Sequence, residues 1–206
     1  MHCPAIFREE RLDLLHGLIS AHPLATLITS GSNGLMANLI PFSLHTGGRH
    51  GILRAHLARG NKQLDALREA SEALVVFHGP DCYVTPSWYP SKAEHGKVVP
   101  TWNFAMVQVR GKAQVIDDTD WLLAQLGQLT DNQEKGRTHP WQVSDAPDDY
   151  IAAQLKGIVG IEIPILSLEG KWKMSQNRQA IDRQGVIDGL SAEGSCPSLL
   201  GAMDNI

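Results

Sequence analysis

The chain has few of the signals by which common enzyme classes are recognised in a sequence. Its three cysteines, Cys3, Cys82 and Cys196, are an odd number without close spacing, so neither a disulfide framework nor a thiolate metal site is predicted. Its nine histidines include no HxH or HExxH spacing, which argues against a zinc site. The GxSxG, GxGxxG and GxxxxGK[ST] patterns are missing too. Serine-hydrolase, Rossmann and P-loop chemistry are therefore not predicted.

Long apolar runs and an excess of basic residues are also missing. No stretch approaches the roughly 20 apolar residues of a membrane span. The first residues carry charges and no apolar core, so we expect no signal peptide and a reducing, cytoplasmic location. The net charge of −4, with histidine neutral, argues against a broad DNA-binding surface. A local basic patch on a dimer is the alternative.

The composition predicts a folded core. The chain has 206 residues, of which 43% are hydrophobic and 19% charged. Six or so strands, joined mostly by short turns and interrupted by helices, indicate a mainly antiparallel β-barrel with flanking helices. No linker separates independent domains, so we predict a single domain over residues 1–190. The last stretch, 191–206, is rich in small residues and is expected to be a flexible C-terminal tail.

The element boundaries follow from periodicity and turn signals. The predicted strands span residues 24–29, 35–44, 52–56, 73–77, 107–116 and 158–168, and the first two form a hairpin around Asn33-Gly34. One helix is predicted over residues 8–21. A second is predicted to begin at the cap Asn61, a third at the cap Asp117 or Asp118, and a fourth at residues 145–147. A polar turn over 169–178 precedes a last helix, 178–190, which is expected to break at Gly185.

Aromatic and proline residues cluster between Gly79 and Gly111. The prolines exclude one smooth strand through this segment. Trp88, Tyr89 and Trp102 offer flat faces with one polar edge each, which suits a pocket for a planar ligand. The alternative is a corner of the core filled by aromatic side chains.

A basic pair flanks a predicted helix start at Arg59, Asn61 and Lys62. Free N–H groups and a partial positive charge make a helix N-terminus a suitable anion site. The alternative, which the sequence by itself favours, is a solvated basic pair on a surface helix. A planar-ligand pocket together with an anion site are the parts that an FMN site needs.

Four blocks of sequence carry a family resemblance. They are HLARGN at 56–61, FHGPDCYVTPSWY at 77–89, VVPTWNF at 98–104 and GKWKMSQNR at 170–178. These blocks resemble the PaiB family, which is described as FMN-binding negative transcriptional regulators of bacteria. The likeness runs in order from about residue 4 to residue 190. It implies an FMN-binding split β-barrel, normally a homodimer with sites at the subunit interface.

The resemblance also implies roles for individual residues. Arg59, Asn61 and Lys62 would hold the FMN phosphate. The isoalloxazine side would be shaped by Trp88, Tyr89, Thr101, Trp102 and Asn103. The partner subunit would contribute Trp172, Lys173, Gln176 and Arg178. The alternatives are an interface anchor for Trp172 and Arg178, and packing alone for Trp88 and Trp102.

The sequence departs from the family pattern at four positions. Histidines that the family usually carries are absent before Pro41, at Gln108 and at Gln133, and Phe104 replaces a usual tyrosine. The resemblance therefore implies no histidine role at these positions.

Three functions follow as hypotheses. The first is a negative transcriptional regulator that binds FMN, although DNA as a partner has little support from the sequence. The second is an FMN-dependent oxidoreductase that acts on a small molecule with NAD(P)H, because this fold hosts many functions. The third is a haem-binding role, and the missing histidines argue against it.

Overall fold

The computed structural model describes residues 1–32, 34–69 and 72–203, and these residues form two antiparallel sheets with helices around them. The strands are β1 (Arg8–Glu9), β2 (Leu24–Gly31), β3 (Gly34–Pro41), β4 (Ser43–His45), β5 (Ile52–Ala58), β6 (Glu72–Val84), β7 (Thr101–Lys112), β8 (Gln114–Ile116), β9 (Ile158–Pro164) and β10 (Ser167–Lys173). The helices are α1 (Leu12–Ala21), α2 (Gln63–Arg68), α3 (Ser91–His95), α4 (Thr119–Glu134), α5 (Asp148–Leu155), α6 (Ala180–Glu193) and α7 (Pro197–Met203). The predicted class, antiparallel β with flanking helices, is confirmed.

The described residues pack into two compact units. Unit 1 comprises residues 1–18, 78–107 and 169 onward, and unit 2 comprises residues 19–77 and 108–168. Strands β6 and β7 each contribute residues to both units. The single domain expected over residues 1–190 stays a prediction.

Unit 2 is built around the β2–β3 hairpin and a four-stranded sheet of order β4-β5-β9-β8. Side chains alternate along β5, so Leu53, Ala55 and Leu57 are buried while their neighbours are partly exposed. Ile161 and Ile163 on β9 are buried as well. This period of two places one face of the sheet in the core, which is the physical origin of the predicted strands.

A buried glutamine fixes the hairpin in unit 2. The Gln63 side-chain amide donates to the backbone oxygens of Leu27 (3.0 Å) and Met36 (3.2 Å), and its oxygen accepts from Asn38 Nδ2 (2.8 Å). A buried amide is tolerated only when its hydrogen bonds are made. Gln63 therefore links the start of α2 to both strands of the hairpin.

Unit 1 holds the β1–β10 ladder, in which Arg8 is paired with Lys171 and Glu9 with Gly170. In the same sheet β10 lies next to β7, and β7 lies next to β6. This ladder corrects two boundaries. The first helix begins at Leu12 rather than Arg8, because Arg8 and Glu9 form strand hydrogen bonds. Residues 169–173 of the predicted polar turn belong to strand β10.

The C-terminal part of unit 1 differs from the sequence-based expectation in two ways. Helix α6 continues through Gly185 without a break. Residues 197–203, expected to belong to a flexible tail, form α7, in which Leu199 and Met203 are fully buried. The burial of these two side chains stabilises the segment although the residues around them are small. The composition of the segment therefore led to the wrong expectation of a flexible tail. Residues 204–206 of the expected tail lie outside the described residues.

Candidate functional site

Alternating side chains on β7 give unit 1 an aromatic face. Trp102 is 53% exposed, and Phe104 and Met106 are partly exposed, whereas the intervening Asn103 and Ala105 are buried. A cavity of about 390 Å³ lies on this face, lined by Trp102, Phe104 and Met106 and by β6 residues that include His78 and Asp81. A half-open cavity with aromatic walls suits a planar ligand.

Lys173, the last residue of β10, is anchored to β7 beside this face. Its Nζ donates to Thr101 Oγ1 (2.6 Å) and to the backbone oxygen of Trp102. The structure thus brings together three residues that the resemblance assigned to the flavin site. Burial, and then the positive charges of Arg178 and Lys171, lower the pKa of Lys173 below its ordinary value. A bound anion or electron-rich carbonyl would relieve this repulsion.

Two further aromatic residues belong to the face and were missed by sequence reasoning. Tyr83 packs against Trp102 edge to face, with ring centroids 5.9 Å apart. The Lys171 ammonium lies 5.3 Å from the centroid of the Phe104 ring. The alternation of Trp102, Phe104 and Met106 with small or polar residues is the signal that could have identified Phe104.

The segment 174–178 folds against its own chain. The Arg178 guanidinium lies 4.8 Å from the centroid of the buried Tyr89 ring. The Gln176 side chain donates to the Trp172 backbone oxygen and accepts from the Met174 backbone N–H, both at 2.6 Å. Among the described residues, no carboxylate lies within ion-pairing distance of Arg178. Arg178 therefore retains capacity for an anion, and its predicted contribution to a partner's site stays a prediction.

Four of the predicted site residues pack against other parts of their own chain. Trp172 is 8% exposed and Tyr89 is 2% exposed. Asn103 is fully buried, and its Nδ2 donates to Ser175 Oγ (3.0 Å). Trp88 lies against helix α6 at Gly185 and Gly189. These contacts support the packing alternative for Trp88, whereas Trp102 remains open to solvent.

The predicted phosphate residues lie in unit 2. Asn61 Oδ1 accepts from the Gln63 backbone N–H (2.9 Å), so Asn61 caps the start of α2 as predicted. Arg59 makes a bidentate pair with Asp117 (2.7 and 2.8 Å) and donates to the backbone oxygens of Lys156 and Ile158. Both partners of this pair are substantially exposed, so it stabilises the fold little and a dianion can compete for Arg59. Lys62 is exposed.

Within residues 1–32, 34–69 and 72–203, no group of three histidine, cysteine or acidic side chains is arranged to hold a metal ion. None of the helices found there is long and apolar enough to cross a membrane.

Comparison with known proteins places these features in a family. Residues 1–167 match the family described as "Putative FMN-binding domain". The chain is 37% identical over 231 aligned residues to an uncharacterized protein of Emericella nidulans, covering 95% of this chain and 92% of the relative. It is 28% identical over 193 residues to the protease synthase and sporulation protein PAI 2 of Bacillus subtilis, covering 94% and 90%.

A solved structure has the same fold. The FAD and heme binding protein of Mycobacterium smegmatis superposes with a TM-score of 0.59 over 81% of this chain and 73% of that chain, at 22% sequence identity. This likeness shows that the two chains share a fold. The chain belongs to the FMN-binding family whose match spans residues 1–167. The PaiB resemblance, the split-barrel fold and FMN as cofactor are therefore confirmed.

Proposed function

We propose that this protein is a flavin-dependent regulator of the PaiB type, which binds FMN and acts through its flavin-bound state. The observation that carries the proposal is Lys173, a half-buried cation held on β7 beside the exposed Trp102. FMN supplies an electron-accepting ring system with a carbonyl-rich pyrimidine end. A cation at that end would orient the ring and favour its reduced, anionic form.

Each unit, taken by itself, carries side chains whose chemistry suits a part of this cofactor. In unit 1, Lys173, Arg178 and the exposed ring of Trp102 offer cations and an aromatic surface. In unit 2, the exposed cations Arg59 and Lys62 offer donors for a phosphate, whereas the backbone N–H groups of Gln63, Leu64 and Asp65 are already bonded to Asn61 and Lys62. The regulatory role comes from the PaiB resemblance, and the Bacillus subtilis relative is named for protease synthesis and sporulation.

The surface of the protein favours indirect regulation over direct DNA reading. None of the seven described helices carries more than one lysine or arginine, and α4 carries none while holding Asp120, Asp131 and Glu134. A recognition helix needs several donors facing bases and phosphates. We therefore propose that any effect on transcription passes through a partner protein or through a product of flavin chemistry.

A homodimer is part of the proposal. The β2–β3 hairpin presents Leu24, Leu35 and Leu39 to solvent, and these side chains are 56%, 79% and 63% exposed. The register pairs Thr26 with Leu39 and Ser30 with Leu35, which places the two leucines of β3 on one face. A contiguous exposed apolar face of this kind fits a second copy of the chain.

A second candidate function is an FMN-dependent oxidoreductase that uses NAD(P)H. The observation that favours it is the open aromatic cavity beside Trp102, which leaves room for a substrate or electron donor.

Three measurements on one preparation test these functions. The purified protein, reconstituted with FMN, is examined for its visible spectrum, for NAD(P)H oxidation with a panel of small acceptors, and for a mobility shift with genomic DNA fragments. The regulator proposal expects a flavin spectrum, turnover no faster than free FMN and no specific shift. Turnover far above free FMN supports the oxidoreductase. A specific nanomolar shift at physiological salt would overturn indirect regulation, and a colourless, non-binding protein would overturn both functions.

A further inference from the structure

A second cavity, of about 610 Å³, lies within unit 2 between helices α4 and α5. A half-open cavity of this volume is large enough for a small organic molecule. The connection between the two helices, which includes the short 3₁₀ helix Val143–Asp145, closes one of its sides. No residue assigned to the flavin is among those that line it. Its walls include Leu123, Gly127 and Asp131 of α4 and Asp148, Ile151 and Leu155 of α5.

Helical spacing gives the cavity an acidic end and an apolar end. The three wall residues of α4 follow each other at intervals of four, and those of α5 at intervals of three and four, so each set shares one face of its helix. Asp131 and Asp148 flank the connection between the helices. Leu123 and Leu155 lie about two helical turns farther from it, a rise of about 12 Å along α4.

Gly127 keeps the middle of the cavity open. It lies inside α4, where glycine is a poor helix former. A Cβ built on it would meet no atom within 4 Å, so close packing against a neighbour does not explain the glycine. Because Gly127 lines the cavity, a larger side chain at this position would occupy cavity space and not collide with the fold.

The charge of the lining selects the kind of ligand. No lysine, arginine or histidine lines the cavity, and its other polar wall residues, Gln142 and Ser144, are neutral. In the described part of the chain, neither Asp131 nor Asp148 has a cation within ion-pairing distance. A carboxylate accepts hydrogen bonds and cannot donate them, so the complementary group is a cation with N–H donors. An anionic ligand would be repelled by both carboxylates.

We propose that this cavity is a binding site for a small amphipathic amine. The ammonium group of the ligand lies between Asp131 and Asp148, and its apolar part runs past Gly127 toward Leu123 and Leu155. The apolar walls supply affinity by removing the chain of the ligand from water. The two carboxylates supply selectivity for a cation over a neutral or anionic head group. The site goes beyond the proposed flavin function, since it shares no residue with the flavin site.

The experiment compares three probes that share an eight-carbon chain and differ only in the head group. Octylamine, n-octanol and octanoate are titrated into the purified full chain by isothermal titration calorimetry at pH 7 and physiological salt. FMN is present in every titration, so that the probes do not compete for the flavin site. Octylamine should bind at one site per chain and roughly 10-fold tighter than octanol, because two exposed ion pairs together contribute about that factor. Octanoate should bind more weakly than octanol. Absence of saturable octylamine binding at concentrations on the order of millimolar, or octanoate binding as tight as octylamine binding, would overturn the proposal.

Paired asparagine substitutions test the acidic end. Asp131→Asn/Asp148→Asn should reduce the affinity for octylamine to that for octanol and leave octanol binding unchanged. Asp120→Asn/Asp149→Asn is the matched control, because it removes one exposed carboxylate from each of the same two helices outside the cavity. The control should keep the roughly 10-fold preference for octylamine. Equal preferences in the two double variants would overturn the role of the two wall carboxylates.

A filling substitution tests the position of the apolar chain. Gly127→Phe should weaken octylamine and octanol alike, by roughly 10-fold or more, because the added ring takes the place of the chain. Gly17→Phe, at a helical glycine with open space outside this cavity, is the control and should leave both affinities unchanged. Thermal melting followed by circular dichroism checks that each variant is folded. Unchanged octylamine binding in folded Gly127→Phe would show that the amine binds elsewhere and would overturn the proposal.

Discussion

Gly185 of α6 lies directly against the backbone carbonyl of Trp88, so close that a Cβ on Gly185 would collide with that oxygen. The helix is continuous here, and the glycine is present for close approach and not for a helix break. One turn later, Gly189 lies against the indole ring of Trp88 in the same way. The two glycines thus form a groove in α6 that receives Trp88.

This contact predicts that a glycine-to-alanine change in a helix lowers the stability of the protein, which is the opposite of the usual effect. Gly185→Ala should destabilise the protein by about 1–3 kcal/mol, because the added methyl group forces α6 away from Trp88. Gly17→Ala is the matched control, since Gly17 lies in α1 with open space where its Cβ would be. That change should stabilise the protein by up to about 1 kcal/mol. Urea unfolding measures both, and equal effects would contradict the groove.

The phosphate assignment predicts selective loss of FMN. Arg59→Ala/Lys62→Ala should weaken FMN binding by about two orders of magnitude or more and leave riboflavin unchanged, because charge-assisted contacts of roughly 1.5–3 kcal/mol each are lost only where a phosphate is present. Titration of flavin fluorescence measures both ligands. Arg68→Ala, an exposed cation at the end of α2, is the control. Unchanged FMN affinity in the double variant would indicate that the phosphate binds at Lys171, Lys173 and Arg178 instead.

The ring assignment predicts the opposite selectivity. Lys173→Met should weaken FMN and riboflavin alike, by roughly 10-fold to 100-fold, since its contact is to the ring system that both ligands share. It should also lower the midpoint potential of bound FMN, because a cation that favours the reduced anion is gone. Lys92→Met, whose Nζ contacts only Ser87 among the described residues, is the control. A variant that discriminates between FMN and riboflavin would show that Lys173 contacts the phosphate.

The pair of Glu9 and Arg11 predicts a pH-dependent part of stability. The Glu9 carboxylate accepts from Arg11 Nε (2.9 Å), Nη2 (2.7 Å) and backbone N–H (2.8 Å), and the Arg11 side chain holds the pKa of Glu9 below its ordinary value of 4.5. Its stabilisation is therefore fully present above pH 4.5 and is lost as the pH falls through the lowered pKa.

Glu9→Gln should accordingly cost about 1–2 kcal/mol at pH 7 and much less at a pH below the lowered pKa of Glu9, where the wild-type carboxyl is protonated too. Guanidinium unfolding at these two pH values measures this. Glu10→Gln is the control, because Glu10 is exposed and its ion pair with Arg8 is 3.8 Å long. A constant difference between wild type and Glu9→Gln at both pH values would contradict the linkage.

The hairpin face predicts the oligomeric state. The wild-type protein should be a homodimer at micromolar concentration by light scattering, and Leu35→Lys/Leu39→Lys should shift it to a monomer by burying like charges against each other. Leu166→Lys changes a leucine that is 61% exposed outside the hairpin and should leave the dimer intact. A monomeric wild-type protein would contradict the proposed dimer. Dissociation of the dimer by Leu166→Lys would show that the interface lies outside the hairpin.

Much of the fold follows from local patterns that the sequence determines by itself. Alternation along 52–58 and helical spacing in 119–134 require only the preferences of neighbouring residues, and Asn61 and Asp118 cap the helices that they were expected to cap. The blocks at 56–61, 77–89, 98–104 and 170–178 were enough to indicate the family and FMN.

Tertiary structure decided what depends on partners distant in sequence. Residues 169–173 were predicted as a polar turn because their strand is set by pairing with β1 and by the burial of Trp172, and neither is visible locally. The sequence predicts Arg59 as a free cation, and only the fold places Asp117 beside it. It likewise predicts Trp88 as a ligand contact, whereas the fold packs Trp88 against Gly185 and Gly189. Long-range contacts of this kind are made only when the chain folds, so no local pattern could have assigned them.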